Sequence, residues 1–167
     1  KIGEVLGKDV EAKELLNQFH ANVEDSKKKL QDAGIYDKTV SIMEGGKGTM
    51  SVATSYGFGR GSQIIYEYLG MKGPESIRQQ LEAGKEKGDA IEVSLEILPD
   101  YAGDYVFRSS YEGMADLANH PVWNSIPAIK EGRLIEIDFG LAYYSDIYSL
   151  DKQLDFVVES LLATVKK

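Results

Sequence analysis

In Tyr56–Lys72, Tyr-Gly-Phe-Gly-Arg-Gly-Ser-Gln-Ile-Ile-Tyr-Glu-Tyr-Leu-Gly-Met-Lys, an arginine stands between two glycines where an apolar helical pattern begins. The glycines allow a tight turn and close approach of a ligand to the backbone, and a helix start directs unpaired N–H groups and positive dipole to the same place. A corner of this kind attracts anions. The Arg60 fork can bind carboxylate, catecholate or hydroxamate oxygens through several donors and stays charged at physiological pH. The competing reading is a surface arginine paired with a nearby acid.

Other side chains could join it. Arg108 follows the apolar run Tyr105–Phe107, which fits a buried strand, so it is expected at a strand's C-terminal end, where open α/β sheets bind ligands. A solvated loop arginine is the equal alternative. Tyr143 and Tyr144 lie in Phe139-Gly-Leu-Ala-Tyr-Tyr-Ser-Asp146. A tyrosine there could stack on a ligand ring, donate a hydrogen bond or ligate ferric iron as phenolate, and one of the two is expected in the core. Tyr56 and Phe58 are aromatic lining candidates, with at least one of them expected to pack inside. Glu96, in Val93-Ser-Leu-Glu96, reads as an exposed glutamate favoured by a helix dipole. Trp123 reads as a core anchor under the last strand.

Several chemistries are disfavoured. His20 and His120 are far apart, no cysteine is present, and no pair of carboxylates has a spacing suited to acid/base work, so no catalytic residue and no protein metal site is assigned. Neither the phosphate loop nor the dinucleotide fingerprint is matched around Arg60.

The elements that must position these residues follow from periodicity. Val10, Leu15, Leu16, Phe19, Val23 and Leu30 recur at helical spacing over Asp9–Ala33, with Asp9 as N-cap and Gly34 as stop. Thr39–Met43 and Thr49–Ser55 are β-rich runs around the turn Glu44–Gly48. The spacing then predicts a helix over Ser62–Leu69 and a partly helical connection over Pro74–Gly84. A strand over Ile91–Val93 and a helical turn capped by Ser94 and ending before Pro99 come next. Short helices over Met114–Ala118 and Val122–Ile129, a strand over Leu134–Asp138 and a last helix over Leu150–Val165 complete the pattern. The alternation predicts a three-layer α/β/α sandwich with a Rossmann-like order.

Composition sets the outer bounds. The 167 residues suit one domain with a real core. A net charge of −8 argues against nucleic acid as a partner, which leaves any anion site local. No apolar run approaches the ~20 residues of a spanning helix.

Three segments together, Tyr56–Lys72, Glu92–Phe107 and His120–Asp138, resemble the C-terminal lobe of substrate-binding proteins of ABC transporters for iron siderophores, of the ferrichrome, enterobactin and bacillibactin type. The order of elements over nearly the whole chain is similar too. The resemblance implies a connecting helix between lobes at residues 1–33 and a ligand-binding lobe at 34–167. It also implies an N-terminal lobe and signal sequence outside this chain. The implied function is capture of an anionic ferric siderophore between two lobes and its delivery to a membrane permease, without catalysis. The implied setting is extracytoplasmic, in the periplasm or at the cell surface, with membrane attachment only through a lipid anchor outside this chain. In such proteins an arginine like Arg60 faces the cleft, the Tyr143–Tyr144 loop borders the ligand, and a glutamate like Glu96 docks on permease arginines; in parts of the family a second arginine like Arg108 completes a basic triad whose third member lies in the first lobe. Haem or cobalamin binding by the same fold is the alternative, and an α/β enzyme the more distant one.

Overall fold

The computed structural model describes residues 6–83 and 88–165. Its centre is a five-stranded mixed sheet in the order β3-β2-β1-β4-β5. Strands β1 (Val40–Gly45) and β2 (Thr49–Ala53) form an antiparallel pair in which Glu44 faces Ser51, and β3 (Ala90–Ser94) adds antiparallel to β2. On the other side β4 (Tyr105–Ser110) runs parallel to β1, with Met43 opposite Arg108, and β5 (Leu134–Asp138) runs parallel to β4. The C-terminal ends of β1, β4 and β5, the β1–β2 turn and the end of β3 therefore share one sheet edge.

Side-chain alternation along these strands separates two cores. Val40, Ile42, Phe107, Ile135 and Ile137 pack with Phe19, Val23 and Leu30 of α1 (Asp9–Asp32), with Ile64 and Ile65 of the turn Gln63–Tyr68, and with Leu154, Val157 and Leu161 of α6 (Ile147–Ala163). Met43, Met50, Val52, Val93 and Val106 face the other way, against Ile77, Leu98, Leu117, Trp123 and Ile126. Helical segments thus cover both faces, as a three-layer sandwich requires. The short helices are α2 (Arg78–Ala83), α3 (Pro121–Ser125), α4 (Pro127–Lys130) and α5 (Phe139–Ala142).

Several boundaries depart from the sequence expectation, each for a local reason. Asp9 is the first helical residue of α1 and Lys8 its N-cap, without a side-chain cap. The far end of α1 stops as expected: Gly34 takes φ 70°, its N–H donates to the Gln31 carbonyl, and the Ile35 N–H donates to the Leu30 carbonyl. This is a Schellman stop with Leu30 and Ile35 both buried behind it. In the first half of α1, however, Val10, Leu15 and Leu16 are exposed and do not join the core.

Val122–Ile129 is two helices, because Pro127 disfavours helical geometry at the residue before it and Ile126 is extended (φ −63°, ψ 123°). Met114–Ala118 is not helical. There the Asp116 carboxylate accepts from the Ala118 N–H and the Ala115 carbonyl accepts from Arg108, so local side-chain partners replace helical ones. Ser94 ends β3, and its carbonyl accepts from the Ile97 N–H to open a turn, with no side-chain cap among the described residues. The helical turn after it is a 3₁₀ segment, Leu98–Tyr101, that contains Pro99 in its first turn, where a missing N–H is tolerated. Gly84, the expected end of the Pro74–Gly84 connection, lies outside the described residues.

Candidate functional site

The residues with chemistry gather at the shared sheet edge, around Arg60. It is the one positive-φ residue other than glycine among the described residues, at φ 57°, between Gly59 at 77° and Gly61 at 88°. Holding a non-glycine in this region costs about 1 kcal/mol or more. The compensation is visible: Nε and Nη2 donate to the two Glu44 carboxylate oxygens at 2.8 and 2.7 Å, and Nη1 donates to the Phe58 carbonyl at 2.9 Å. A two-pronged guanidinium–carboxylate contact is the strongest form of this pairing.

The segment after Arg60 is not the α-helix expected. Gln63–Tyr68 is a six-residue π-helical turn, too short to supply much dipole, so attraction for an anion rests on the guanidinium itself. The competing reading, pairing with an acid, is realised, although on a part-buried pair whose side chains are 28% and 21% exposed. Each terminal nitrogen of Arg60 keeps a second N–H outside the Glu44 and Phe58 bonds.

Aromatic rings extend the cluster. The Arg60 guanidinium carbon is 5.0 Å from the Phe58 ring centre and 5.3 Å from that of Phe139, within cation–π range of both. Phe139 in turn lies 5.2 Å from Tyr143, and Tyr143 lies edge-on to Tyr144 at 5.0 Å. Tyr143 and Tyr144 are both exposed, at 62% and 61%, which corrects the expectation that one packs inside. Ala142 is the residue of this segment that enters the core, because Phe139–Ala142 coils into the short α5, capped by Asp138, and turns the tyrosines outward.

Arg108 occupies a different position from the one expected. The strand continues to Ser110, so Arg108 lies within β4 and not after it, and it is only 3% exposed. Its Nη2 donates to the Gly45 carbonyl at 2.7 Å and the Ala115 carbonyl at 2.6 Å, and its guanidinium carbon lies 5.3 Å from the Trp123 ring centre. Gly46 is needed for this approach: a Cβ there would come within 3.0 Å of Arg108 Nη2 and 3.1 Å of Leu117. Burial pushes the Arg108 pKa down, with Glu136, Tyr111 and Asp116 acting in the opposite direction. Arg108 thus braces the β1–β2 turn from beneath. Trp123 is in the core as expected, and the cation beside it adds a second use.

Tyr56 parts company with Phe58. It lines a cavity of about 440 Å³ with Tyr66, Lys72, Gly73, Arg78 and Leu81. Tyr66 donates to the Val40 carbonyl, which places that cavity by the N-terminal end of β1, away from the Arg60 cluster. Glu96 is exposed in the turn after β3, where the Leu95 N–H donates to the Gly48 carbonyl, so it sits on the same rim as the β1–β2 turn.

Glu44 and Phe139 are the members that sequence reasoning missed. Glu44 had been read only as part of a turn, and the available signal was a carboxylate at the end of a buried strand. Arg60 is the largest cause holding the Glu44 carboxyl below the usual glutamate range, against the opposing effect of burial. Ser109 Oγ, buried without a hydrogen-bond partner among the described residues, lies close enough to add a smaller lowering. A depressed folded-state pKa means stability that is present above the ordinary glutamate pKa and lost as pH falls through the folded value. The melting-temperature advantage of the wild-type protein over Glu44→Gln is therefore expected to shrink on acidification from about pH 7 to about pH 3. A pH-independent difference would rule out this ionic contribution.

Among the described residues, no group of three or more His, Cys, Asp or Glu side chains could hold a metal ion, and no helix is long and apolar enough to cross a membrane. Known proteins resemble the chain in sequence and fold. The chain is 34% identical over 169 residues to the iron(3+)-hydroxamate-binding protein YxeB of Bacillus subtilis and 31% identical to FhuD of the same organism. Each match takes in 96% of this chain and 51% of the relative, so the chain spans about half their length. Among solved structures, a FhuD fold-family component of a Fep/Fec-like ferrichrome ABC transporter from Bacillus subtilis superposes with a TM-score of 0.85 at 31% identity, over 96% of this chain and 60% of the other. FhuD2 of Staphylococcus aureus with bound ferrioxamine B gives 0.80 at 26% identity, over 98% and 62%. Residues 1–141 match the periplasmic binding protein family, and with a mixed sheet whose polar cluster lies at the C-terminal strand edge, this chain belongs to that family.

Proposed function

We propose that this chain is one lobe of an extracytoplasmic solute-binding component of an ABC importer, and that its ligand is a ferric hydroxamate siderophore held between this lobe and a second one. The observation that carries the reading is the Arg60 cluster: a guanidinium with unused N–H groups, flanked by Phe58 and Phe139 and followed by exposed Tyr143 and Tyr144, at the sheet edge where α/β folds take ligands. Hydroxamate oxygens would accept from Arg60, and the exposed tyrosines would cover apolar parts of the chelate. Arg108 would act from beneath, by fixing the β1–β2 turn next to Glu44. Iron would arrive inside its chelator as cargo, without a protein ligand.

Two further parts belong to the same proposal. The exposed apolar residues of the first half of α1, Val10, Leu15 and Leu16, suit a helix that joins this lobe to another. Glu96, exposed on the rim, would dock on a cationic surface of the permease. Attachment to the membrane would come through a lipid anchor outside this chain.

The experiment is quenching of Trp123 and tyrosine fluorescence in the natural full-length protein, titrated with a ferric trihydroxamate, a ferric catecholate, ferric citrate, haem and cobalamin. Saturable quenching by the trihydroxamate is expected. Saturation by the catecholate, ferric citrate, haem or cobalamin in its place, or by no probe, would overturn the assignment.

A further inference from the structure

We propose that Glu44 is a specificity-determining residue that sets the net charge of the chelate this lobe accepts, favouring a neutral or cationic ferric complex over a trianionic one. The inference rests on the siderophore reading above and goes further, to the electrostatic class of the ligand.

The argument begins with the cations. Arg60 meets both oxygens of Glu44, so the pair presents N–H donors without net charge. Arg108 is buried, donates to two backbone carbonyls, and has the carboxylates of Glu136 and Asp116 near enough to act on it. Arg60 is thus paired and Arg108 is buried, so neither presents an unpaired guanidinium to solvent at the sheet edge. Lys47 in the β1–β2 turn, Glu96 after β3 and Asp138 at the end of β5 are all exposed at this end of the sheet.

Ligand chemistry then divides sharply. Three hydroxamates neutralise one ferric ion, whereas three catecholates leave a trianion. A trianion brought to a neutral pair loses its solvation without gaining a counter-charge. A neutral trihydroxamate needs only hydrogen-bond donors at its oxygens, which the unused N–H groups of Arg60 supply. A pendant ammonium, as in ferrioxamine B, would find the carboxylates of Glu96 and Asp138 exposed at this rim beside Lys47.

The test compares the affinity of a trianionic ferric tris-catecholate with that of a neutral ferric trihydroxamate, measured by fluorescence quenching in the full-length protein. The readout is the ratio of the two affinities. Glu44→Gln frees the Arg60 charge, and the ratio is expected to shift toward the trianion by about tenfold. Arg60→Gln leaves the Glu44 charge uncompensated and is expected to shift the ratio the other way. Opposite shifts are a signature that mere loss of packing does not produce. Should either variant fail to fold, the wild-type protein provides the second measurement: its ratio favours the trihydroxamate even at high salt, because the desolvation cost of the trianion is not screened.

An unchanged ratio in both variants, or movement of both in one direction, overturns the inference and leaves the siderophore reading standing. So does a wild-type preference for the trianion. Silence of the wild-type protein toward every trihydroxamate overturns the siderophore reading, and this inference falls with it.

Discussion

Gly103→Ala is expected to lower the stability of this protein by about 3 kcal/mol or more, an effect at the upper end for one methyl group. The added Cβ would lie 2.8 Å from the Thr39 carbonyl oxygen, 2.9 Å from its carbon and 3.0 Å from the Ser41 nitrogen. All three are backbone atoms. They have little room to retreat, because Thr39 and Asp104 exchange hydrogen bonds through both backbone and side chain, the Tyr105 N–H donates to the Thr39 carbonyl, and the Val40 N–H donates to Lys72. The clash therefore falls where β1 and β4 begin their pairing. For a chain of this size the melting temperature should drop by roughly 6–12 °C. Gly132→Ala is the control: φ 76° strains the new residue, but nothing lies within 4 Å of its Cβ, so about 1 kcal/mol is expected. A drop for Gly103→Ala no larger than for Gly132→Ala would show that the sheet absorbs the contact.

Arg60→Ala is expected to weaken binding of a ferric trihydroxamate by roughly 30-fold or more, corresponding to about 2 kcal/mol of charge-assisted hydrogen bonding. Truncation removes the unused N–H donors and takes the cation from between Phe58 and Phe139. It also leaves the part-buried Glu44 without its partner, which adds negative charge to the rim. Alanine keeps the backbone strain at φ 57° and loses the contact that offset it. Arg60→Gly separates the two effects, because glycine relieves the strain: it should be more stable than Arg60→Ala by about 1 kcal/mol and bind as poorly. Titration calorimetry beside thermal melts reads both quantities. Affinity within about threefold of wild type in the alanine variant would remove Arg60 from the binding surface.

Much of the fold was legible because local chemistry and tertiary outcome agreed. The helical spacing of Phe19, Val23 and Leu30, the stop at Gly34, the β-rich runs around Glu44–Gly48 and the alternation in Leu134–Asp138 each lie where the structure has them. Legibility failed where a distant partner overrode a local preference. Met114–Ala118 has helical composition, yet the Arg108 donor captures the Ala115 carbonyl and the segment stays irregular. Arg108 looked solvated or ligand-facing from its neighbours, because nothing adjacent in sequence announces that Gly45, Ala115 and Trp123 will close around it.

The Arg60 site divides in the same way. The Gly-Arg-Gly triplet was readable as a place where the backbone turns and a cation is displayed, since left-handed φ values and a guanidinium's donors are properties of single residues. That the cation is already answered was not readable. Glu44 stands 16 residues earlier, at the end of a strand, and reaches Arg60 only because the chain leaves β2, turns through Tyr56–Phe58 and passes back over the face of the sheet that Glu44 shares. Periodicity and turn chemistry are short-range, so they decided the elements and their order. Charge compensation acts through space, so it was decided only when strand pairing brought an acid and a base from separate segments to the same edge.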